Sequence, residues 1–169
     1  MECSAVRFTR HAFERRFERA ISPDAVLRII EEGEVIASYP DDLPFPSVLI
    51  LGFEGATPIH HGRGKRPPER HMLRGDGLCT GARSVERRFQ NPEANMKCMI
   101  CKTGETRAGT ATVTLQRAET TVLVKGTPAD VCQNCGEYYL DEAVARKLYA
   151  QADEAARRHA EVEIIRYAA

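Results

Sequence analysis

The chain has 169 residues, enough for one or two small domains, and no apolar run approaches the roughly 20 residues that crossing a bilayer requires. Lysine plus arginine equals aspartate plus glutamate, 24 against 24, which argues against a broad basic face wrapped around nucleic acid and leaves room only for a local patch. Tryptophan is absent and other aromatics are sparse, so any core must be mostly aliphatic. Met1 leads into charged residues with no apolar stretch of signal length, so a reducing, cytoplasmic location is expected.

In chain order, Val6-Arg7-Phe8-Thr9 alternates and predicts a short strand. His11 to Arg19 reads as a helix with Ala12, Phe13, Phe17 and Ala20 as apolar positions. Ser22 then suits an N-cap and Pro23 the first helical position, where a missing N–H costs nothing. Val26, Leu27, Ile29 and Ile30 make the buried face of that second helix, and Gly33 ends it. Val35 to Tyr39 and Ser47 to Phe53 read as strands on either side of a proline-rich turn, and a third strand begins at Ile59-His60.

The run Phe8-Thr9-Arg10-His11-Ala12 with Arg15, followed by Ile21-Ser22 and the second helix, resembles the DUF4258 domains, small α/β proteins related in shape to the RelE-like ribonuclease toxins. Tyr39-Pro40, the strand Val48-Leu49-Ile50-Leu51-Gly52 and Pro58-Ile59-His60 continue the resemblance, so residues 1–60 are expected to be a DUF4258-like toxin remnant. The resemblance implies that His11 and Arg15, four apart on one helical face, are the candidates for acid–base work and phosphate contact on RNA. The plainer alternative makes both exposed polar residues near a cap. The closing strand and acidic-aromatic tail of the family do not follow, so the amino-terminal sheet is expected to be incomplete and the chain not to be an enzyme.

Residues 61–95 carry no sustained periodicity, and basic residues outnumber acidic ones there, the reverse of residues 1–60. A basic RNA-contacting linker is one reading. Apolar content too low to offset ordering entropy favours the other, an irregular, disordered connector. Reading Arg74 to Met96 one base on, with codons chosen freely, yields a string like the missing strand and tail, which suggests a toxin and its partner fused by a change of frame near His61.

From Met96 onward the chain reads as a small unit of its own. Cys98-Met99-Ile100-Cys101 is answered by Cys132-Gln133-Asn134-Cys135, and two such pairs supply the four soft thiolates that one structural Zn2+ takes in a tetrahedron. Gly104 and Gly136 are expected to supply the positive φ of the two knuckles. Two disulfides fit a reducing compartment poorly, and a redox pair lacks the surrounding βαβ pattern. Cys3 and Cys79 are read as ordinary free thiols. Between the pairs, Ala111 to Leu115 and Thr120 to Val124 predict a hairpin, with Gly126-Thr127-Pro128 turning into a third strand, Ala129 to Cys132. In so small a unit the metal is expected to replace a core. Asp141 caps a helix reaching about Ala160, with Val144, Leu148, Ala152 and Ala155 on one face and His159 a surface residue. The tail Val162 to Tyr167 is β-prone and without an obvious partner, which invites pairing with another chain.

Cys98-x-x-Cys101-x-x-Gly104, Thr112-Val113-Thr114, Val122-Leu123-Val124, Gly126-x-Pro128-Ala129 and Cys132-x-x-Cys135-Gly136-Glu137 with Tyr139-Leu140-Asp141 together resemble the YgiT-type, or MqsA-like, zinc finger family of antitoxins. The resemblance spans residues 96–169 and implies binding and neutralising of a toxin. Full-length relatives add a helix-turn-helix for operator DNA, which does not follow here, so DNA binding is doubtful. The expected architecture is therefore α+β: a small incomplete α/β toxin-like domain, an irregular linker, then a zinc ribbon with a C-terminal helix and strand. The expected function is that of a zinc-binding antitoxin component of a type II toxin–antitoxin system. Its expected partners are a cognate toxin protein and a second copy through the C-terminal helix and strand. An RNA-cleaving toxin-like enzyme with a structural zinc domain and a DNA-binding repressor are the alternatives.

Overall fold

A computed structural model describes residues 6–54, 57–59 and 96–168. Cys3, Cys79, His60 and the connector 61–95 lie outside the described residues. The elements run β1 (Arg7–Thr9), α1 (Arg10–Glu18), α2 (Pro23–Glu32), β2 (Glu34–Tyr39), β3 (Ser47–Glu54), β4 (Thr57–Ile59), β5 (Thr106–Arg117), β6 (Thr120–Cys132), β7 (Tyr138–Asp141), α3 (Glu142–Arg157) and β8 (Val162–Arg166). The arrangement is mixed α/β with two sheets. One has the order β1-β7-β6-β5 with β8 added along β6, and the other the order β2-β3-β4.

Local sequence explains the boundaries. Thr9 ends β1 and caps α1 in one step, its side chain accepting from the Ala12 amide at 3.2 Å, so the strand enters the helix without a loop. Ala12, Phe13 and Phe17 are buried, but Ala20 is exposed at φ +57, because α1 ends at Glu18 and Ala20 belongs to the turn. Ser22 accepts from Ala25 at 3.1 Å, with Pro23 next in line. Asp141 accepts from Val144 at 2.8 Å and starts α3.

The two halves of the sequence share one core. Phe8, Phe13 and Phe17 of the amino-terminal segment lie in the same buried cluster as Val113, Val124 and Leu148 of the cysteine-bearing half. The backbone follows suit: β1 pairs antiparallel with β7, Phe8 opposite Leu140 and Thr9 opposite Tyr139. α2 links the two sheets, sending Val26, Leu27 and Ile30 into this core while Ile29 packs on Ile50 of β3.

Two expectations are corrected. Gly126 to Pro128 does not start a new strand; β6 continues unbroken from Thr120 to Cys132, and Gly126, at φ +71, lies opposite a register shift between Ala111 and Val113. An irregularity of this kind bends a long hairpin without ending it. The additional strand is β7, just beyond the second cysteine pair. The C-terminal tail has a partner in its own chain, because β8 lies parallel to β6 with Ile164 opposite Leu123.

Candidate metal centre

Both cysteine pairs stand at one end of the β5–β6 hairpin, where Thr106 opposes Cys132. The four sulfurs of Cys98, Cys101, Cys132 and Cys135 lie within 4.8 Å of one another. Cys98 approaches Cys135, and Cys101 approaches Cys132, at 3.7 Å in each case, and no disulfide joins any of the four. A tetrahedron with Zn–S bonds of about 2.3 Å has edges of about 3.8 Å, whereas a disulfide would need about 2.05 Å. The donor set therefore fits one metal ion at its centre.

The two knuckles are built alike. The Lys102 amide donates to the Cys98 carbonyl at 3.0 Å, and the Gly136 amide to the Cys132 carbonyl at 3.1 Å. In each, the residue after the second cysteine takes the left-handed conformation, Lys102 at φ +61 and Gly136 at φ +73. Gly104 thus has a role other than the expected one. A Cβ there would lie 2.5 Å from Cys132 Sγ and 2.7 Å from Asn134 Cβ, so the glycine is needed for the close approach of the knuckles. Asn134 also donates to Thr103 Oγ1 at 3.0 Å, tying the two loops together.

Electrostatics set two of the thiols, Cys101 and Cys135, far apart. Backbone N–H groups of Thr103 and Gly104 pull Cys101 down to about 5. The backbone hydrogen bond from Glu137 lowers Cys135, but partial loss of hydration among the crowded sulfurs and the neighbouring thiols of Cys132, Cys98 and Cys101 outweigh it and carry that group up to about 12. A cation held by the four sulfurs would favour the thiolate form of Cys135 and offset that rise.

Sequence reasoning missed β7 as the link between this site and the amino-terminal segment. The Tyr139 hydroxyl accepts from the Met99 amide at 2.8 Å, leaving its hydrogen for Cys98 Sγ at 3.2 Å. Burial raises the Tyr139 pKa, so it stays a donor. The Glu137 carboxylate, buried, accepts the Arg10 amide at 3.1 Å and lies 3.8 Å from the Arg10 guanidinium. Burial nevertheless lifts the Glu137 pKa above its ordinary value, and Arg10 offsets only part of that. The run Tyr139-Leu140-Asp141 was the available signal for this strand.

His11 and Arg15 are both exposed on α1, and Arg15 is engaged with Glu18 at 2.8 Å. Neither lines the open cavity of about 350 Å³ between the end of α2 and β3, which Arg28, Glu32, Glu34 and Phe53 border. His159 is exposed beyond the end of α3 and is not among the sulfur-bound set. No helix among the described residues is long and apolar enough to cross a membrane.

No curated protein and no solved structure matches the chain significantly. Residues 8–67 match the family model described as a domain of unknown function, DUF4258, a stretch that takes in α1, α2 and the β2–β4 sheet.

Proposed function

We propose that the chain is a zinc-binding antitoxin component of a type II toxin–antitoxin system, cytoplasmic, acting by protein–protein contact with a DUF4258/RelE-like toxin. The observation that carries this is the pairing of β1, from the DUF4258-matching segment, with β7, the strand that leaves the cysteine knuckles. A DUF4258 strand and helix are thereby held by the unit that resembles YgiT-type antitoxins. The ion is one structural zinc: an all-thiolate set with four donors leaves no open position for catalysis. A second copy of the chain is a further partner on this reading, supported by Val162 and Ile164 of β8, which are 64% and 62% exposed.

The test has two parts. Elemental analysis of the purified protein should find one zinc per chain. A separately produced DUF4258-family protein should be captured at concentrations high enough to compete with the chain's own segment, and Cys98→Ser with Cys135→Ser should abolish capture. Metal-free protein, or capture indifferent to the loss of two thiolates, overturns the assignment.

A further inference from the structure

The zinc-ribbon half holds α1 by both ends. At the amino end, where four backbone N–H groups lack helical partners, the Glu137 carboxylate accepts the Arg10 amide. At the carboxyl end, Arg117, the last residue of β5, donates Nε–H to the Phe17 carbonyl at 2.8 Å. An acid at the positive pole and a base at the negative pole match the helix macrodipole. The same guanidinium covers the Phe17 ring at 4.1 Å and is itself fixed by Asp153 of α3 at 2.5 Å. Alongside, β1 occupies the edge of β7 that β6 leaves open, and Arg7 reaches Asp130 of β6 at 3.4 Å.

We infer that residues 106–157 form a receptor for a strand-then-helix element of the DUF4258 type, clamped by Glu137 and Arg117, and that this chain fills it with its own β1 and α1. The inference rests on the protein-contact function proposed above and specifies the surface and its resident. The segment that fills the receptor is covalently attached to it, so a separate DUF4258 domain competes against a tethered copy whose effective concentration is of millimolar order. The intact chain is therefore self-occluded.

The surface is built for this occupant on three counts. The clamp spacing suits the nine residues of α1. The side chains facing inward from α1, Phe13 and Phe17, are fully enclosed, at 2% and 0% exposure. The β7 edge opposite Thr9 and Phe8 has three residues in register and no further partner among the described residues.

The experiment uses the metal-loaded full chain carrying a protease site after Gly75. It is compared intact and after cutting, each at 10 µM in about equal mixture with a second sample of the cut chain whose 1–75 half carries a fluorescent label. After cutting, the halves should stay together and about half of the receptors should carry label at equilibrium; intact protein should take up about 1%, the ratio of 10 µM to a local concentration near 1 mM. Arg117→Met in the cut chain should weaken retention of the fragment about tenfold, because a helix-end hydrogen bond and a cation–π contact are both lost. Asp153 keeps Arg157 at 2.7 Å in that variant, and an unchanged metal content checks that the knuckles have formed. Separation of the halves on cutting, equal uptake by intact and cut chains, or undiminished retention by Arg117→Met overturns the inference. If fragment 1–75 is held but no separately produced DUF4258-family protein is, the receptor stands and the antitoxin role fails.

Discussion

Phe17→Ala tests whether the two halves of the sequence share a core. Phe17 is fully buried, its ring 5.6 Å from that of Tyr149 on α3 in an edge-to-face pair, with the Arg117 guanidinium 4.1 Å from its centroid. Truncating a buried phenylalanine costs about 3–5 kcal/mol, of which the aromatic pair accounts for about 0.5–1.5. Collapse into the hole would drag a charged guanidinium into apolar surroundings, so the upper part of that range is expected. At about 3 °C per kcal/mol for a chain of this size, a cost of about 4 kcal/mol lowers the melting temperature by about 12 °C. The assay is thermal unfolding by circular dichroism, with hydrogen exchange at Leu148 and Ala152 of α3, both fully buried in the shared cluster. Their protection should fall by the same free energy. Phe53→Ala, at a side chain 61% exposed, should change stability by less than about 0.5 kcal/mol. Unchanged exchange at Leu148 and Ala152 in Phe17→Ala would refute the shared core.

Three further outcomes follow at the cysteine site. In metal-free protein at pH 7, iodoacetamide should modify half-buried Cys101 before exposed Cys135, because the first lies near 5 and the second near 12; mass spectrometry of a time course reads the order, and Cys135 reacting first would contradict it. Gly104→Ala should weaken metal binding at least about tenfold, since its Cβ would meet Cys132 Sγ at 2.5 Å, whereas Lys102→Gly should stabilise the knuckle by about 1 kcal/mol through relief of its φ of +61. Competition with a chromophoric chelator and thermal melts read the two.

Local chemistry carried most of what was legible in the sequence. Ser22-Pro23 and Asp141 announced two helix starts, and Cys-x-x-Cys twice announced four sulfurs that meet within 4.8 Å. Long-range pairing was not legible. β1 has three residues, and nothing in Arg7-Phe8-Thr9 states that its partner lies about 130 residues on. The alternation of Val6-Arg7-Phe8-Thr9 shows which face is apolar and not what covers it. The role of Lys102 was missed for a related reason: a left-handed residue is read from glycine, and here lysine takes it while the nearby glycine answers a steric demand.

The shared core also changes what the metal is for. A free-standing ribbon of this size would depend on its ion for any fold at all. Around the knuckles the apolar cluster is indeed thin: Cys98, Cys132 and Tyr139 with Met96, Met99 and Cys101 packed against them, half of these being ligands. The other end of the hairpin is different. Val113, Leu115, Val122 and Val124 are fully buried against α1 and α3, and each buried aliphatic side chain contributes about 1.5–3 kcal/mol irrespective of any ion. Excess chelator should therefore abolish amide protection at residues 98–105 and 132–137 while leaving most of it at 113–115 and 122–124, a local opening of the least buried part. Tyr139 sits at the boundary, its hydroxyl bonded to a knuckle and its backbone paired with Thr9, so fraying should reach β1 next and loosen α1 from Glu137 before it loosens α1 from Arg117. Simultaneous loss of protection along the whole hairpin on chelation would show that the ion, and not the aromatic face contributed by the DUF4258-matching segment, holds the fold together.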